Sequence, residues 1–303
     1  MQIDIKGHSG CSIDIVDDED RLYVKKTSFD EKYFDRLHKQ GEKQQNDISA
    51  DHSGIKVPKI YENKISSHEA YILMDYVYAK NFVDYFENAS AEDISNFIKK
   101  FINYINDEFE QCKIDTVSKT TFIKKFESVV DNCMKNPILT NSLFKDDVIA
   151  MLNKARTAFI MLPQELKLHV GKCHGDLTFS NILFTSNKMY FIDYLDSFIE
   201  TPIQDIVKLR QDTHYLWSLQ MYDKKYDPIR IKMIFDYIDE KIDEYFKSLN
   251  KEYENYYFSF QLMNILRILP YVKEEKVAEF LMKHLNSMVA SFPESTLENL
   301  TMD

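Results

Sequence analysis

The chain has few cysteines and no long apolar run, and each shortage excludes a class of protein. Its 303 residues include four cysteines, which are widely spaced and form no Cys-x-x-Cys pair. This argues against a zinc site and a disulfide framework, and it suits a reducing compartment. No stretch approaches the ~20 apolar residues of a membrane-spanning helix. The first residues also lack the layout of a signal peptide. The sequence therefore predicts a soluble, cytoplasmic protein.

Positive charge is also scarce. There are 38 Lys and Arg residues against 49 Asp and Glu, which gives a formal net charge of -11. This argues against a nucleic-acid partner, whose phosphates require a positive surface, and against polybasic attachment to a membrane. Hydrophobic residues make up 44%, and a chain of this length exceeds one compact core, so two lobes or domains are expected. Nothing in the sequence indicates an oligomeric state.

Two short apolar runs, residues 182–184 and 189–192, are separated by three polar residues, which is the pattern of a β-hairpin. Asn181 precedes the first run and Asp193 follows the second. Positions opposite each other in an antiparallel pair are about 5 Å apart, so these two side chains should meet at the open end. Mg²⁺ takes one or two such oxygen ligands and completes its shell with water and substrate phosphates. We therefore predict a Mg²⁺ site at Asn181 and Asp193.

Asp176 lies five residues before Asn181, on the loop that leads into the hairpin. From there its carboxylate can face the metal without binding it. A carboxylate beside a metal phosphate site can orient a hydroxyl nucleophile and accept its proton. Asp176 is therefore the candidate catalytic residue.

The motif His-Gly-Asp-Leu at residues 174–177, followed by Asn181 and Asp193, resembles the catalytic loop and metal-binding aspartate of the protein-kinase-like superfamily. The spelling is typical of its aminoglycoside phosphotransferase and choline kinase branch. Two positions depart from protein kinases. Gly175 stands where they usually have Arg, which receives a phosphorylated activation loop, and residues 194–195 are Tyr-Leu in place of Phe-Gly.

The resemblance implies an α+β fold of two lobes. The smaller would be an N-terminal, nucleotide-binding lobe over residues 1–77, an antiparallel β-sheet with one helix. The larger, over 78–303, would be mainly helical and carry the catalytic loop and acceptor site. Period-two and helical patterns fit this division. They predict strands at 3–5, 13–15, 22–26, 54–61 and 70–77, and a helix at 30–47.

Alternation along the third predicted strand places Leu22, Val24 and Lys26 on one face and Lys25 on the other. In the superfamily, a lysine of this strand holds the α and β phosphates and is paired by a glutamate of the next helix. The resemblance therefore implies a pair between Lys26 and Glu42. The alternative is that both are solvated surface charges.

Three further nucleotide contacts follow from the resemblance. Ser9 and Gly10, in the first turn, would bring backbone N–H groups to the phosphates as a glycine-rich loop does, although an ordinary hairpin turn gives the same signal. Residues 74–77 resemble the hinge between the lobes. There the backbone carbonyl of Asp75 and the backbone N–H of Val77 would bind the base.

The C-terminal region has helical spacing and only the one hairpin. Asp205 matches an aspartate that braces the catalytic loop in the family, or it caps a helix. Four residues lie where the family builds its acceptor pocket, although a surface or structural role is favoured for each: Asp196, Ser197, Asp212 and Arg267. Predicted helices include 119–135, 145–161, 203–220, 228–249, 253–269 and 274–291.

Together these residues favour a phosphotransferase that uses ATP or GTP with Mg²⁺ and phosphorylates a hydroxyl of a small molecule. A sugar, an amino alcohol or an aminoglycoside would each fit. Two alternatives remain open. One is a non-catalytic, kinase-shaped nucleotide-binding or scaffold module, and the less favoured one is a protein kinase.

Overall fold

The computed structural model describes residues 11–18, 21–47, 54–186 and 188–290. The predicted strand at 3–5 and the turn with Ser9 and Gly10 lie outside them. The helices described are α1 (Glu31–Asn46), α2 (Phe82–Asn88), α3 (Ala91–Gln111), α4 (Thr120–Cys133), α5 (Lys145–Ile160), α6 (Pro202–Thr213), α7 (Pro228–Leu249), α8 (Lys251–Leu266) and α9 (Glu275–Ala290). The strands are β1 (Ser12–Asp18), β2 (Arg21–Ser28), β3 (Ile55–Lys56), β4 (Ile60–Ile65), β5 (Ala70–Asp75), β6 (Lys113–Ser118), β7 (Glu165–Val170), β8 (Ile182–Phe184) and β9 (Met189–Phe191).

The described residues form two compact units that do not follow the predicted boundary at residues 77 and 78. The first unit runs to residue 108 and also takes in 174–197 and 224–238, and the second comprises 109–173, 198–223 and the residues from 239 onward. The segment that carries the candidate catalytic residues therefore packs in the same unit as the N-terminal sheet. The division into a nucleotide-binding lobe and an acceptor lobe stays a prediction.

The main sheet of the first unit is antiparallel, in the order β1-β2-β5-β4. Helix α1 begins after Asp30, whose side chain accepts a hydrogen bond from the Lys32 N–H. Its buried Phe34 and Leu37 pack in one core with apolar residues of β4 and β5 such as Ile72. This confirms the predicted antiparallel sheet with one helix.

The predicted strand at 54–61 is wrong in one respect, because the chain forms two strands there. β3 pairs in parallel with β9, with Ile55 opposite Met189, whereas β4 belongs to the main sheet. Pro58 lies between them. A proline has no N–H to contribute to a ladder, so the strand is interrupted at that point.

The hairpin that carries the candidate site has the predicted form. β8 and β9 are antiparallel, with Ile182 opposite Phe191, and a short 3₁₀ turn at Phe179–Asn181 leads into β8. Phe184 of β8 is buried beside Phe86 and Phe97, with ring centroids 5.4 and 6.1 Å away. This aromatic packing fixes the hairpin within the first unit.

The second unit is mostly helical around one large apolar core that includes Phe122, Phe159 and Phe260. It also contains an antiparallel pair, β6 and β7, so the prediction of a single hairpin in the C-terminal region was wrong. The predicted helix at 203–220 is also too long. α6 ends at Thr213, and Leu216 has a positive φ of 59°, which a helix does not accommodate. No helix in the described ranges is long and apolar enough to cross a membrane.

Candidate active site

The centre of the site is an ion pair between Lys26 of β2 and Asp193, which lies two residues after the end of β9. Asp193 Oδ1 accepts a hydrogen bond from Lys26 Nζ at 2.9 Å, and the two side chains are 36% and 4% exposed. Burial opposes the charge on Lys26, but the Asp193 carboxylate outweighs it, so the pKa of Lys26 is raised. Lys26 is therefore a buried, fully charged ammonium whose ionic partner is within reach of solvent.

The second partner of Lys26 is Gln40, so the predicted pair with Glu42 is wrong. Lys26 Nζ donates to Gln40 Oε1 at 3.2 Å, and Gln40 Nε2 donates to the Tyr33 hydroxyl at 3.0 Å. The Glu42 carboxylate lies 3.6 Å from His38 Nε2 and its side chain is 56% exposed. Side chains two positions apart on a helix point in directions that differ by about 200°. Glu42 therefore points away from the core when Gln40 points inward.

Lys25 lies on the other face of β2, as the alternation predicts. Its Nζ is 3.2 Å from Glu69 Oε1 and 4.3 Å from the centroid of the Tyr71 ring. The side chain is 30% exposed. The prediction that Lys26 and Lys25 lie on opposite faces of this strand is therefore confirmed.

The loop before the hairpin joins the candidate catalytic aspartate to the candidate metal ligand. Asn181 Nδ2 donates to the backbone oxygen of Asp176 at 2.7 Å and to its carboxylate Oδ2 at 3.2 Å. His174 is fully buried; its Nδ1 accepts from the Asp176 N–H at 3.2 Å, and its Nε2 lies 2.8 Å from the Ile192 carbonyl. Nε2 therefore carries the hydrogen. Burial lowers the pKa of His174 to about 4, so it is neutral at pH 7.

The remaining oxygen atoms of the hairpin end suit Mg²⁺. The Ile192 N–H donates to the Asn181 carbonyl at 3.1 Å, so Asn181 lies opposite Ile192 and Asp193 is one residue further along. The Asn181 amide nitrogen donates to Asp176, so the amide oxygen is the atom of this side chain that could bind a cation. Asp193 has a second carboxylate oxygen besides the one that Lys26 contacts. An amide oxygen and a carboxylate are hard ligands of the kind Mg²⁺ takes, and the ligand role stays a prediction.

Gly175 is explained by the path of the backbone. Its φ is +88°, and a Cβ atom at this position would lie 2.0 Å from the carbonyl oxygen of Leu195. The Leu195 N–H in turn donates to the His174 carbonyl at 3.0 Å. Only glycine combines this backbone conformation with so close an approach. The departure from the arginine of protein kinases is therefore required by packing.

The predicted hinge lines a cavity of about 430 Å³ in the first unit. Both predicted residues, Asp75 and Val77, are among its walls, which are Arg21, Leu22, Asp75, Tyr76, Val77, Tyr78, Thr185 and Tyr190. The Asp75 carboxylate is held by Arg21 at 2.7 Å and by the Tyr61 hydroxyl at 2.9 Å. These contacts fix the end of β5. The predicted binding groups are backbone atoms, and their role stays a prediction, as does that of Ser9 and Gly10.

Two of the residues considered for the acceptor site, Asp212 and Arg267, make contacts within the protein. Asp212 is fully buried and accepts from the Ser218 N–H at 2.8 Å and its hydroxyl at 2.9 Å, which favours the structural reading. Arg267 lies 5.7 Å from the Phe198 ring centroid. The N-cap position of α6 is Thr201, so Asp205, the fourth residue of the helix, is not its cap. The bracing role of Asp205 stays a prediction.

Most of the chain matches the model of one known protein family. Residues 15–226 match the sequence model of the phosphotransferase enzyme family. The chain belongs to this family and is a phosphotransferase. No curated protein sequence matches it significantly.

Solved structures of small-molecule kinases share its fold. A putative fructosamine-3-kinase from Haemophilus somnus 129PT is 12% identical with a TM-score of 0.58, covering 94% of this chain and 90% of its own. A thermostable mutant of aminoglycoside phosphotransferase APH(4)-Ia is 10% identical with a TM-score of 0.60, covering 95% and 94%. A choline/ethanolamine kinase family protein from Mesorhizobium loti is 12% identical with a TM-score of 0.53, covering 95% and 88%. At these identities the likeness shows the fold, an α+β architecture with an N-terminal antiparallel sheet and a larger helical part.

Proposed function

We propose that this phosphotransferase moves the γ-phosphoryl group of ATP or GTP to a hydroxyl of a small molecule, with Mg²⁺. A sugar, an amino alcohol and an aminoglycoside are the acceptor classes that we consider. The observation that carries the proposal is that one short segment, the loop and hairpin over residues 176–193, connects Asp176, Asn181 and Asp193. Asp176 and Asn181 are hydrogen-bonded to each other, and the hairpin after them ends at Asp193, which the buried Lys26 holds.

Each residue has a chemical task in this proposal. Asp176 orients the acceptor hydroxyl and accepts its proton, since it is the carboxylate of the loop and Asn181 fixes its direction. Lys26 donates to the nucleotide phosphates and offsets the charge that develops during transfer. Asn181 and Asp193 would hold Mg²⁺, which supplies charge neutralisation to the phosphates when bound. Neutral His174 supports the loop by bonding the Ile192 carbonyl and the Asp176 N–H.

The structural neighbours support the nucleotide and the kind of acceptor. A structure of a further thermostable mutant of APH(4)-Ia, 11% identical with a TM-score of 0.59, is a ternary complex with AMP-PNP and hygromycin B. Other neighbours are a fructosamine kinase and a choline/ethanolamine kinase family protein. Their acceptors differ from one another, so they support small-molecule phosphorylation in general. The fold alone cannot choose an acceptor, because one fold hosts many substrates.

The test is nucleotide turnover with and without Mg²⁺ against a panel of hydroxyl-bearing metabolites, with wild type and two variants. Asp176→Asn keeps the side-chain shape, so nucleotide affinity should stay unchanged while phosphoryl transfer falls by about 10²- to 10⁴-fold. Asp193→Asn should instead abolish Mg²⁺-dependent nucleotide binding. Its thermal unfolding should show that the fold is kept.

Four results would contradict this proposal. Full activity of Asp176→Asn on an acceptor that wild type uses would remove Asp176 as the base. Mg²⁺-dependent binding and turnover in Asp193→Asn would remove the metal assignment. Nucleotide binding without transfer to any small molecule would favour the scaffold module, and transfer to protein substrates instead would identify a protein kinase.

A further inference from the structure

The residues that follow Asp193 are fastened to the C-terminal end of α1. The Tyr194 hydroxyl donates to Asp47 Oδ2 at 2.5 Å, and both side chains are 1% exposed. Lys43, on the last turn of the same helix, donates from Nζ to the Leu195 carbonyl at 2.6 Å. Two consecutive residues after Asp193 are therefore bonded to α1, one through a side chain and one through the backbone.

Asp193 needs such fastening because its backbone is strained. Its φ is +63°, in the left-handed region that few residues other than glycine adopt. A residue stays in this conformation only where its surroundings enforce it. Lys26 holds the Asp193 side chain, and α1 holds the two residues beyond it.

We propose that the Tyr194–Asp47 hydrogen bond positions Asp193 for Mg²⁺-dependent nucleotide binding, which makes Tyr194 and Asp47 positioning residues. The inference rests on the proposed function, in which Asp193 is a metal ligand. It explains why tyrosine stands here in place of the phenylalanine of protein kinases, since only the hydroxyl can reach the buried carboxylate. Without this bond, a smaller fraction of molecules holds Asp193 in the competent conformation. The apparent affinity falls by that fraction.

Asp47 also offers an internal control. Its Oδ2 accepts a second hydrogen bond, from the Tyr104 hydroxyl of α3 at 3.3 Å. Tyr104 is buried as Tyr194 is. If the carboxylate only stabilises the fold, losing either hydroxyl should affect nucleotide binding alike. If the carboxylate positions Asp193, only the loss of the Tyr194 hydroxyl should matter.

The experiment compares Tyr194→Phe with Tyr104→Phe by calorimetric titration with AMP-PNP, with and without Mg²⁺. Tyr194→Phe should weaken Mg²⁺-dependent binding by about tenfold, the scale of one hydrogen bond to a charged group. Its metal-free affinity should stay within about twofold of wild type. Tyr104→Phe should stay within about twofold under both conditions. Thermal unfolding of both variants reports any loss of stability.

Equal weakening in the two variants, or none in Tyr194→Phe, overturns the inference. If Tyr194→Phe does not fold, Asp47→Asn takes its place. Asp47→Asn keeps an oxygen that accepts from the Tyr194 hydroxyl but removes its charge. This variant must lower the Mg²⁺-dependent affinity for AMP-PNP and leave the metal-free affinity unchanged. If wild type binds neither AMP-PNP nor GMP-PNP with Mg²⁺, the proposed function fails and this inference fails with it. If wild type binds and the variants do not differ, the inference fails alone.

Discussion

Two buried cations, Lys26 of the first unit and Arg210 of the second, are paired with aspartates in different ways. Lys26 has one carboxylate partner, Asp193, and one neutral partner, Gln40. Asp193 is 36% exposed. The pair thus matches one ammonium with one carboxylate, and that carboxylate is open to water.

Arg210 is enclosed on every side. Its Nε and Nη2 donate to the two oxygens of Asp239 at 2.9 and 2.8 Å, and its Nη1 contacts Asp243 and the Tyr253 hydroxyl. The Tyr257 ring centroid lies 4.4 Å from the guanidinium carbon. Burial alone would raise the pKa of Asp239, but the bonds that it accepts hold it far below its usual range. This two-point geometry is what the planar guanidinium provides.

The Arg210 contacts are all made within the fold, whereas the partly exposed Lys26–Asp193 pair is compatible with the proposed role of Lys26 in phosphate binding. Arg210 has no capacity left for another anion, because two aspartates already surround it. A lysine ammonium beside one solvent-accessible carboxylate can still take up phosphate oxygens. Substitution of Arg210 should therefore lower stability, whereas substitution of Lys26 should lower turnover.

The largest effect is expected at Arg210. Arg210→Met leaves the buried carboxylate of Asp239 without its arginine partner and should lower the free energy of unfolding by about 3–5 kcal/mol. Denaturant unfolding measures this. Arg267→Met, in the same unit and only partly buried, serves as the control and should cost about 1 kcal/mol or less. Similar losses in the two variants would contradict the distinction drawn for Arg210.

Lys26→Ala should do the reverse. Turnover should fall by about 10²- to 10³-fold, because a contact to the transferring phosphates is lost. The unfolding midpoint should change little, since Asp193 can be hydrated once its partner is gone. Lys25→Ala removes the outward lysine of the same strand and should leave turnover nearly unchanged. If Lys26→Ala were fully active and Lys25→Ala inactive, the assignment of the phosphate contact to Lys26 would be wrong.

His174 provides a neutral buried group for the same comparison. Its pKa is lowered from 6.5 to about 4 by burial. Between these two pH values His174 is protonated in the unfolded chain and neutral in the folded protein. The stabilisation is complete above pH 6.5 and is lost as the pH falls towards 4, by about 3 kcal/mol in total. His174→Gln keeps an N–H donor for Ile192 but does not titrate. Its unfolding free energy should show a shallower acid dependence, and equal slopes would contradict the assignment.

The smallest effect concerns the neutral partner of Lys26. Gln40→Met removes the oxygen that accepts from Lys26 Nζ and should weaken nucleotide affinity by about tenfold in a titration with MgATP. Gln40→Glu keeps an acceptor oxygen in place and should restore affinity. Gln44→Met changes another buried glutamine of α1, which donates to the Pro58 carbonyl, and should leave affinity within about twofold. Parallel losses in both methionine variants would show a structural role only.

The error at Glu42 shows what the sequence could and could not reveal. The buried face of α1 contains Phe34, Leu37, Gln40 and Gln44, at steps of three and four residues. The helical periodicity of the sequence therefore already placed Gln40 on the buried face. The prediction instead followed the acidic residue type found in the superfamily. The hairpin and its aspartate were found because their signals are local.

Other features depend on contacts distant in the chain. Residues 165–170 alternate, and Leu166 and Leu168 are fully buried, but their partner strand lies before α4 and α5. The parallel pairing of β3 with β9 joins residues 55 and 189. The hydrogen bond of Asp47 to Tyr194 spans 147 positions. Such pairings follow from tertiary packing, which local pattern and propensity do not encode.

The close approach at Gly175 also limits how this chain can evolve. Because the Leu195 carbonyl occupies the space of a Cβ atom, every other amino acid is excluded while the neighbouring segment keeps its path. An arginine at this position, through which protein kinases receive a phosphorylated loop, would need a second change that moves Leu195. No single mutation can therefore introduce that form of control here. The lineage can acquire it only through coordinated changes at sites twenty residues apart in the sequence.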